Sequence, residues 1–383
     1  MITPPSSALV RALYGGLLTP GAVASAMLTS ETWFPTATVR RGAATQPLPP
    51  GAPLRNVSIE HGGRTYDLVD YLAVNRVSGL LILHRGQIVR EDYELGLTPS
   101  LRHASFSLAK SVCSTLVGCA LVDGSLRSLD EQLGQILPAL AHSAYATVPL
   151  RSLLAMRTGV AWDETYTNPL SDRRRFLDAQ LAGERGALLA LMAQLPRRSA
   201  IDATFNYSTG ETFLVGAVLE ALTGKPLAEY LTERLWAPLG MESDATWWLE
   251  SDGGMGMGGS GLAATLRDYG RFAQFVVDGG RLNGALLVPP DWFREATRPA
   301  HDGTRYGYQW WLPSADDPRH AGAFMGMGIF GQRLYLHPSR RIAIVVLAAR
   351  SKPSDSHVIP DEAFFGSVVD ALDSSEPPAP TAM

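Results

Sequence analysis

A serine and a lysine three residues apart, Ser107 and Lys110, lie in the segment HASFSLAKSVCSTLVGCALVDG. From Phe106 onward, apolar residues at Leu108, Val112, Leu116 and Val117, ended by Gly124, predict a helix. Residues i and i+3 share a helix face, so the hydroxyl and the amine can touch. A serine hydroxyl is a weak nucleophile until a neighbouring base takes its proton. Lysine becomes that base when burial lowers its pKa, and the apolar run after Lys110 would supply the burial. S-x-x-K also arises by chance, and a serine here could simply cap the helix, so the pair needs companions.

One companion lies in ATFNYSTGETFLVGAVLEALTG, where Tyr207 falls on a loop before a second helix with Ser208 or Thr209 as its cap. A tyrosine hydroxyl there can pass a proton to or from a leaving group if a nearby cation lowers its pKa. Another is FMGMGIFGQRLYLHP, in which Gly326 and Gly328 open a strand and permit close backbone approach to a ligand. A backbone N–H at that strand edge could serve as an oxyanion donor. Gly326, Gly328 and Gly331 also satisfy G-x-G-x-x-G. A strand hairpin follows instead of a helix, which argues against a dinucleotide fingerprint. GGMGMGGSG, from Gly253, reads as a flexible loop, and Leu262 breaks any G-x-S-x-G match. The eight histidines are scattered without a ligand spacing, so no metal or other cofactor is expected.

These residues need a scaffold. The 383 residues suffice for one large or two modest domains. A hydrophobic content of 46% and a charged content of 18% are ordinary for a globular chain with a sizeable core. The net charge of −4 contains no block of like charge, which implies neither a nucleic-acid nor a membrane partner. No apolar run approaches the length of a membrane span. Cys113 and Cys119 fall on different faces of the first helix and read as buried free thiols. The N-terminus lacks a basic region and is broken by Pro4, Pro5 and Pro20, unlike a signal peptide, so the cytoplasm is the expected compartment.

Residues 1–64 read as an irregular N-terminal arm, rich in Pro, Gly, Ala and Thr up to about Pro53. VSGLLILHRGQIVREDYELG predicts a hairpin around Arg85-Gly86, and QRLYLHPSRRIAIVVLAAR a second around His337–Arg340. A closing amphipathic helix follows in DEAFFGSVVDALDS. Helical patterns occupy 105–122, 184–194, 211–223, 227–236 and 265–279. The expected fold is therefore α+β. An antiparallel sheet built from both chain ends and flanked by helices forms an α/β part at about 65–125 and 262–372, with a mainly helical lobe inserted at about 126–261. Residues 373–383 read as a disordered tail.

S-x-x-K, then Tyr-Ser-Thr about a hundred residues on, then a glycine-rich strand resemble the penicillin-recognising serine hydrolases, which include class C β-lactamases, DD-peptidases and related esterases. LLILHRGQIVREDY, LRSLLAMRTGVAWDE, YLTERLWAPLGM, SGLAATLRDYGRFAQFVVDGG and YGYQWW extend the resemblance over roughly residues 65–370. SFSLAKS, WDETYTNPLSD, ATWWLE and GIFGQRLYLHP are most similar to the 6-aminohexanoate-dimer hydrolase branch, whose members cleave linear amides and often short carboxylic esters. The resemblance implies a β-lactamase/transpeptidase-like fold with Ser107 as an acylated nucleophile, Lys110 as its base and Tyr207 as proton relay. It further implies an oxyanion hole from the backbone N–H groups of Ser107 and Ile329, with Gly328 beside the substrate and Tyr166 near a leaving nitrogen.

Two departures matter. Gly326 stands where the third motif usually opens with Lys or His, which removes a charge-assisted contact to a substrate carboxylate worth on the order of 1.5–3 kcal/mol. Tyr207 is followed by Ser-Thr where many relatives carry an asparagine. The expected substrate is thus a small neutral amide or ester rather than a penicillin or a D-Ala-D-Ala peptide. A β-lactamase or DD-peptidase, an acyltransferase and a binding protein without turnover are the alternatives. The small-molecule substrate is the one partner expected, and a homodimer is compatible with this reading.

Overall fold

The computed structural model describes residues 6–375. Its central sheet is antiparallel with the strand order Phe324–Gly328, Gln332–His337, Ile342–Ala348, Val77–His84 and Gln87–Tyr93. Both predicted hairpins are present, and the two chain ends meet where Ile344 faces Ile82. Side chains alternate between the faces. Leu81, Leu83, Leu334, Leu336, Val345 and Leu347 enter the larger core, while Leu80, Ile82, Tyr335, Ile344 and Val346 enter a smaller one. Because helices cover both faces, Ile342–Ala348 is buried along its whole length and shows no polar alternation.

The smaller core is closed by Leu68–Val74 and by Asp361–Ser375, through Tyr71, Phe364, Phe365 and Val368. The larger is closed by Leu266–Val277 and Leu108–Asp123. Every residue from Leu108 to Ala120 is buried, as expected of a helix that is apolar on all sides and enclosed by the domain. Cys113 and Cys119 lie on this helix, free and buried. Among the described residues, no helix is long and apolar enough to cross a membrane.

Three expectations need correction. The segment before residue 65 is not an irregular arm. It forms the helices Ser7–Tyr14 and Pro20–Thr29 and the strand Thr36–Val39, which pairs antiparallel with Ala245–Trp248. Val10, Leu13, Tyr14, Met27 and Trp33 join the larger core, and their helical spacing was obscured by the Pro- and Gly-rich residues around them. The closing helix also runs to Ser375, past the predicted start of the tail, and residues 376–383 lie outside the described residues. Finally, the helix Asp172–Ala182 was missed, because its DRRRFLDAQLA sequence is too polar to show an apolar stripe.

Candidate active site

The helix carrying the Ser/Lys pair begins two residues later than its pattern suggests. Phe106 has a left-handed φ of 46° and Ser107 occupies the cap position, with Leu108 as the first helical residue. A non-glycine residue in that region costs on the order of 1–3 kcal/mol and persists only where its surroundings hold it. Here the Phe106 ring is packed by Tyr14, Trp33, Trp248 and Phe330, at centroid distances of 6.2, 6.3, 6.3 and 5.3 Å. The turn directs Ser107 towards a cavity. Its hydroxyl makes no capping hydrogen bond, so the role of simple helix cap does not apply.

Lys110 is fully buried and its Nζ has three partners: Ser107 Oγ at 2.9 Å, Thr209 Oγ1 at 3.0 Å and the Gly259 carbonyl at 2.9 Å. Burial pushes its pKa down to about 7, against an opposing pull from Glu164. Near neutral pH a large share of Lys110 is therefore an uncharged amine with two hydrogens and a lone pair. The Gly259 carbonyl can only accept. Thr209 gives its own hydrogen to Glu164, so towards lysine it accepts as well. Those two partners take both amine hydrogens and leave the lone pair for the Ser107 O–H, which is the arrangement a general base needs.

Gly259 belongs to the glycine cluster read above as a flexible loop. The loop is instead buried from Gly256 to Gly261. A Cβ at Gly258 or Gly259 would lie 2.3 Å from the Thr212 carbonyl or 2.7 Å from that of Thr209, so the glycines let this backbone lie directly on the helix Thr209–Thr223.

Tyr207 precedes that helix, which Ser208 caps by accepting from the Glu211 N–H. Its ring packs on Trp311 at 5.4 Å, and Lys110 Nζ lies 5.0 Å from its centroid. The expected lowering of its pKa does not occur. Burial, reinforced by Glu164, pushes the phenol well up, and hydrogen bonding to Ser107 opposes this only in part. Tyr207 thus holds its proton and is suited to donate it.

Glu164 was not singled out in the sequence. It accepts from Trp162 Nε1 at 2.5 Å, Tyr166 OH at 2.9 Å, the Thr209 N–H at 2.8 Å and the Thr209 hydroxyl. Tyr166 is therefore brought into the cavity, but with its hydroxyl engaged by this carboxylate. Its position two residues before Tyr166 is the one signal that could have marked Glu164. Because the carboxylate favours protonated Lys110, Glu164→Gln is expected to move the acid limb of the pH–kcat/KM profile to lower pH. An unmoved limb in ester hydrolysis would show that the carboxylate is not coupled to the lysine.

The sheet edge supplies the remaining groups. A Cβ on Gly328 would lie 2.4 Å from the Ser105 carbonyl, so only glycine lets this edge approach the turn that carries Ser107. Ile329 begins a short helical turn and Ser107 precedes the first turn of its helix, so neither N–H has an intrahelical acceptor. The neighbours of these two residues, Phe106 and Phe330, both have positive φ and pack on one another. That contact couples the two candidate oxyanion donors. Ser107, Tyr166, Tyr207, Trp311, Gly328 and Ile329 line one cavity of about 660 Å³, a size suited to a small organic substrate. Gly326 packs instead against the helix, where a Cβ would lie 3.0 Å from Ser111 Oγ. Among the described residues, no group of three or more His, Cys, Asp or Glu is placed to hold a metal.

A buried serine–lysine pair at a helix start, beneath a five-stranded antiparallel sheet edge, defines a serine hydrolase of the β-lactamase/transpeptidase-like class. The sequence model of the family described as Beta-lactamase matches residues 71–364, and the chain belongs to that family. It is 28% identical over 343 residues to a 6-aminohexanoate-dimer hydrolase of Paenarthrobacter ureafaciens, covering 85% of this chain and 84% of the relative. A structure from Bacillus anthracis, whose proposed identity is a 6-aminohexanoate-dimer hydrolase, superposes with a TM-score of 0.83 at 20% identity, covering 99% of this chain and 100% of that one. A family VIII carboxylesterase structure gives a TM-score of 0.59 at 15% identity over 80% of this chain and 96% of its own.

Proposed function

We propose that this protein hydrolyses small linear amides or carboxylic esters through an acyl-enzyme on Ser107. The observation that carries the reading is the environment of Lys110, whose two acceptor-only partners leave its lone pair for the Ser107 hydroxyl. Neutral Lys110 takes the serine proton as Oγ attacks the carbonyl carbon. The backbone N–H groups of Ser107 and Ile329 stabilise the oxyanion. Tyr207 gives its proton to the departing nitrogen or oxygen and is reprotonated through Lys110, which carries the serine proton. Water then attacks the acyl-enzyme as the same groups act in reverse. The names of the relatives support a linear amide or ester as substrate, as does Gly326 in place of a cation that would hold a penicillin carboxylate. Tyr166 is assigned a place beside the leaving group.

A fluorophosphonate probe is expected to label the wild-type chain on Ser107, and labelling is expected to vanish in Ser107→Ala. Retained labelling at another residue would overturn the assignment. Rapid hydrolysis of nitrocefin would favour the β-lactamase alternative.

A further inference from the structure

Phe106 and Phe330, the neighbours of the two candidate oxyanion donors, are each held from behind, and both holds lead to one helix end. Phe106 receives the edge of the fully buried Tyr14 ring, 6.2 Å away at 78°. Phe330 is held by its backbone. Its N–H donates to the Pro353 carbonyl at 3.0 Å, and its carbonyl accepts from the Arg350 N–H at 3.1 Å. Between those two residues, Lys352 reaches back and donates from Nζ to the Gly16 carbonyl. Tyr14 and Gly16 stand together at the end of the helix Ser7–Tyr14. The contacts therefore close a ring, from Phe106 through Tyr14, Gly16, Lys352 and Phe330 back to Phe106, where the two phenylalanine rings meet at 5.3 Å.

The sequence makes that helix end a fixed corner. Gly16 has a left-handed φ of 65°, its N–H donates to the Leu13 carbonyl, and the Leu17 N–H donates to that of Ala12, both at 2.9 Å. This pair of bonds around a left-handed glycine is a Schellman cap, which sets the direction of the chain leaving the helix. A Cβ at Gly16 would lie 2.9 Å from Lys352 Cδ and 3.3 Å from Pro353 Cδ, so the corner and the loop touch directly. The helix dipole favours an ammonium at this terminus. Pro353 itself is buried and lines the cavity with Ile329. From the sheet side, Gln332 Nε2 holds the Ile329 carbonyl at 3.1 Å, so the loop shares the restraint with the sheet.

We propose that Tyr14 and Lys352 are positioning residues for the oxyanion hole, setting the separation and direction of the Ser107 and Ile329 N–H groups through Phe106 and Phe330. Such donors stabilise a developing oxyanion only when they are aimed at it before the reaction begins. The segment expected to be an irregular arm is thereby part of the catalytic apparatus. The inference rests on the acyl-enzyme reading and names the residues that hold its oxyanion donors in place.

The test compares a p-nitrophenyl ester with the matching thionoester, in which sulfur replaces the carbonyl oxygen. Sulfur is a weak hydrogen-bond acceptor, so the thionoester gains little from the two N–H groups. The wild type is expected to prefer the oxoester by more than the two differ in alkaline hydrolysis. Lys352→Met is expected to lower kcat/KM about tenfold for the oxoester and less than about threefold for the thionoester. The acid limb near pH 7 should stay in place, because Lys110 is untouched. Lys352→Arg restores a donor and is expected to recover part of the loss. Tyr14→Leu, which withdraws the ring edge from Phe106, is expected to act in the same direction, with circular dichroism to verify folding. A ratio of oxoester to thionoester rates that is unchanged in either variant would overturn the proposal, since a general loss of folded enzyme lowers both rates alike. A wild type without the preference would remove the oxyanion hole and the proposal together. Fluorophosphonate labelling of Ser107 reports separately on the acyl-enzyme reading, so the two can fail independently.

Discussion

Lys110→Met is expected to lower kcat/KM for a p-nitrophenyl ester by about 10³-fold or more, because it removes the group that accepts the serine proton. Methionine keeps the apolar stem, and exchanging a buried amine for an apolar side chain of similar length is tolerated in many cores. Thr209 and the Gly259 carbonyl each lose the lysine donor, but Thr209 keeps its bonds to Glu164. The protein is therefore expected to stay folded, as circular dichroism would verify, while turnover collapses. The pH profile gives a sharper readout. Only neutral Lys110 can take the proton, so wild-type kcat/KM is expected to fall as pH drops through about 7, the value to which burial lowers this lysine. In Lys110→Met the limb near 7 should disappear from the residual activity. Lys110→Arg should be as inactive as Lys110→Met, since a guanidinium does not deprotonate near neutral pH. A limb near 7 that survives in Lys110→Met would assign that titration to another group.

Ser107, Lys110 and Tyr207 were legible as candidates because the chemistry they could do is carried by residue type and local spacing. The hairpins were legible for a similar reason, since Arg85-Gly86 and His337–Arg340 interrupt strong apolar runs. What the sequence concealed depends on long-range contact. Glu164 and Gly259 act on Lys110 from 54 and 149 residues away in sequence, and nothing local in either segment announces that. The glycine cluster around Gly259 has the composition of a flexible loop, and only its packing on the helix Thr209–Thr223 buries it. The left-handed turn at Phe106 was hidden because the strain is held by Tyr14, Trp33, Trp248 and Phe330, contributed from four separate segments. Tyr207 shows the limit from the other side. Its position was read correctly, but the sign of its pKa shift was not, since burial outweighs any nearby cation.

That sign makes Tyr207→Phe the second decisive substitution. A phenol whose pKa is pushed up gives no tyrosinate at neutral pH, so its hydroxyl matters as a proton donor to the leaving group. An amine cannot depart from a tetrahedral intermediate without a proton, whereas p-nitrophenoxide can. Removing the hydroxyl is therefore expected to lower amide hydrolysis by about 10²–10³-fold and hydrolysis of an activated p-nitrophenyl ester by much less. The ring contacts with Trp311 and Tyr306 and the position of Lys110 over the ring do not involve the hydroxyl, so phenylalanine should preserve the site. Burst-phase kinetics with the p-nitrophenyl ester would separate acylation from deacylation. A normal burst followed by slow turnover would place the remaining loss in the attack of water. Equal losses for amide and activated ester in the acylation step would mean that Tyr207 aligns Ser107 and Lys110 rather than protonating the leaving group. The Ser107 hydroxyl is near enough to the phenol to pull its pKa down, so the comparison discriminates between an aligning role and a proton-donating one.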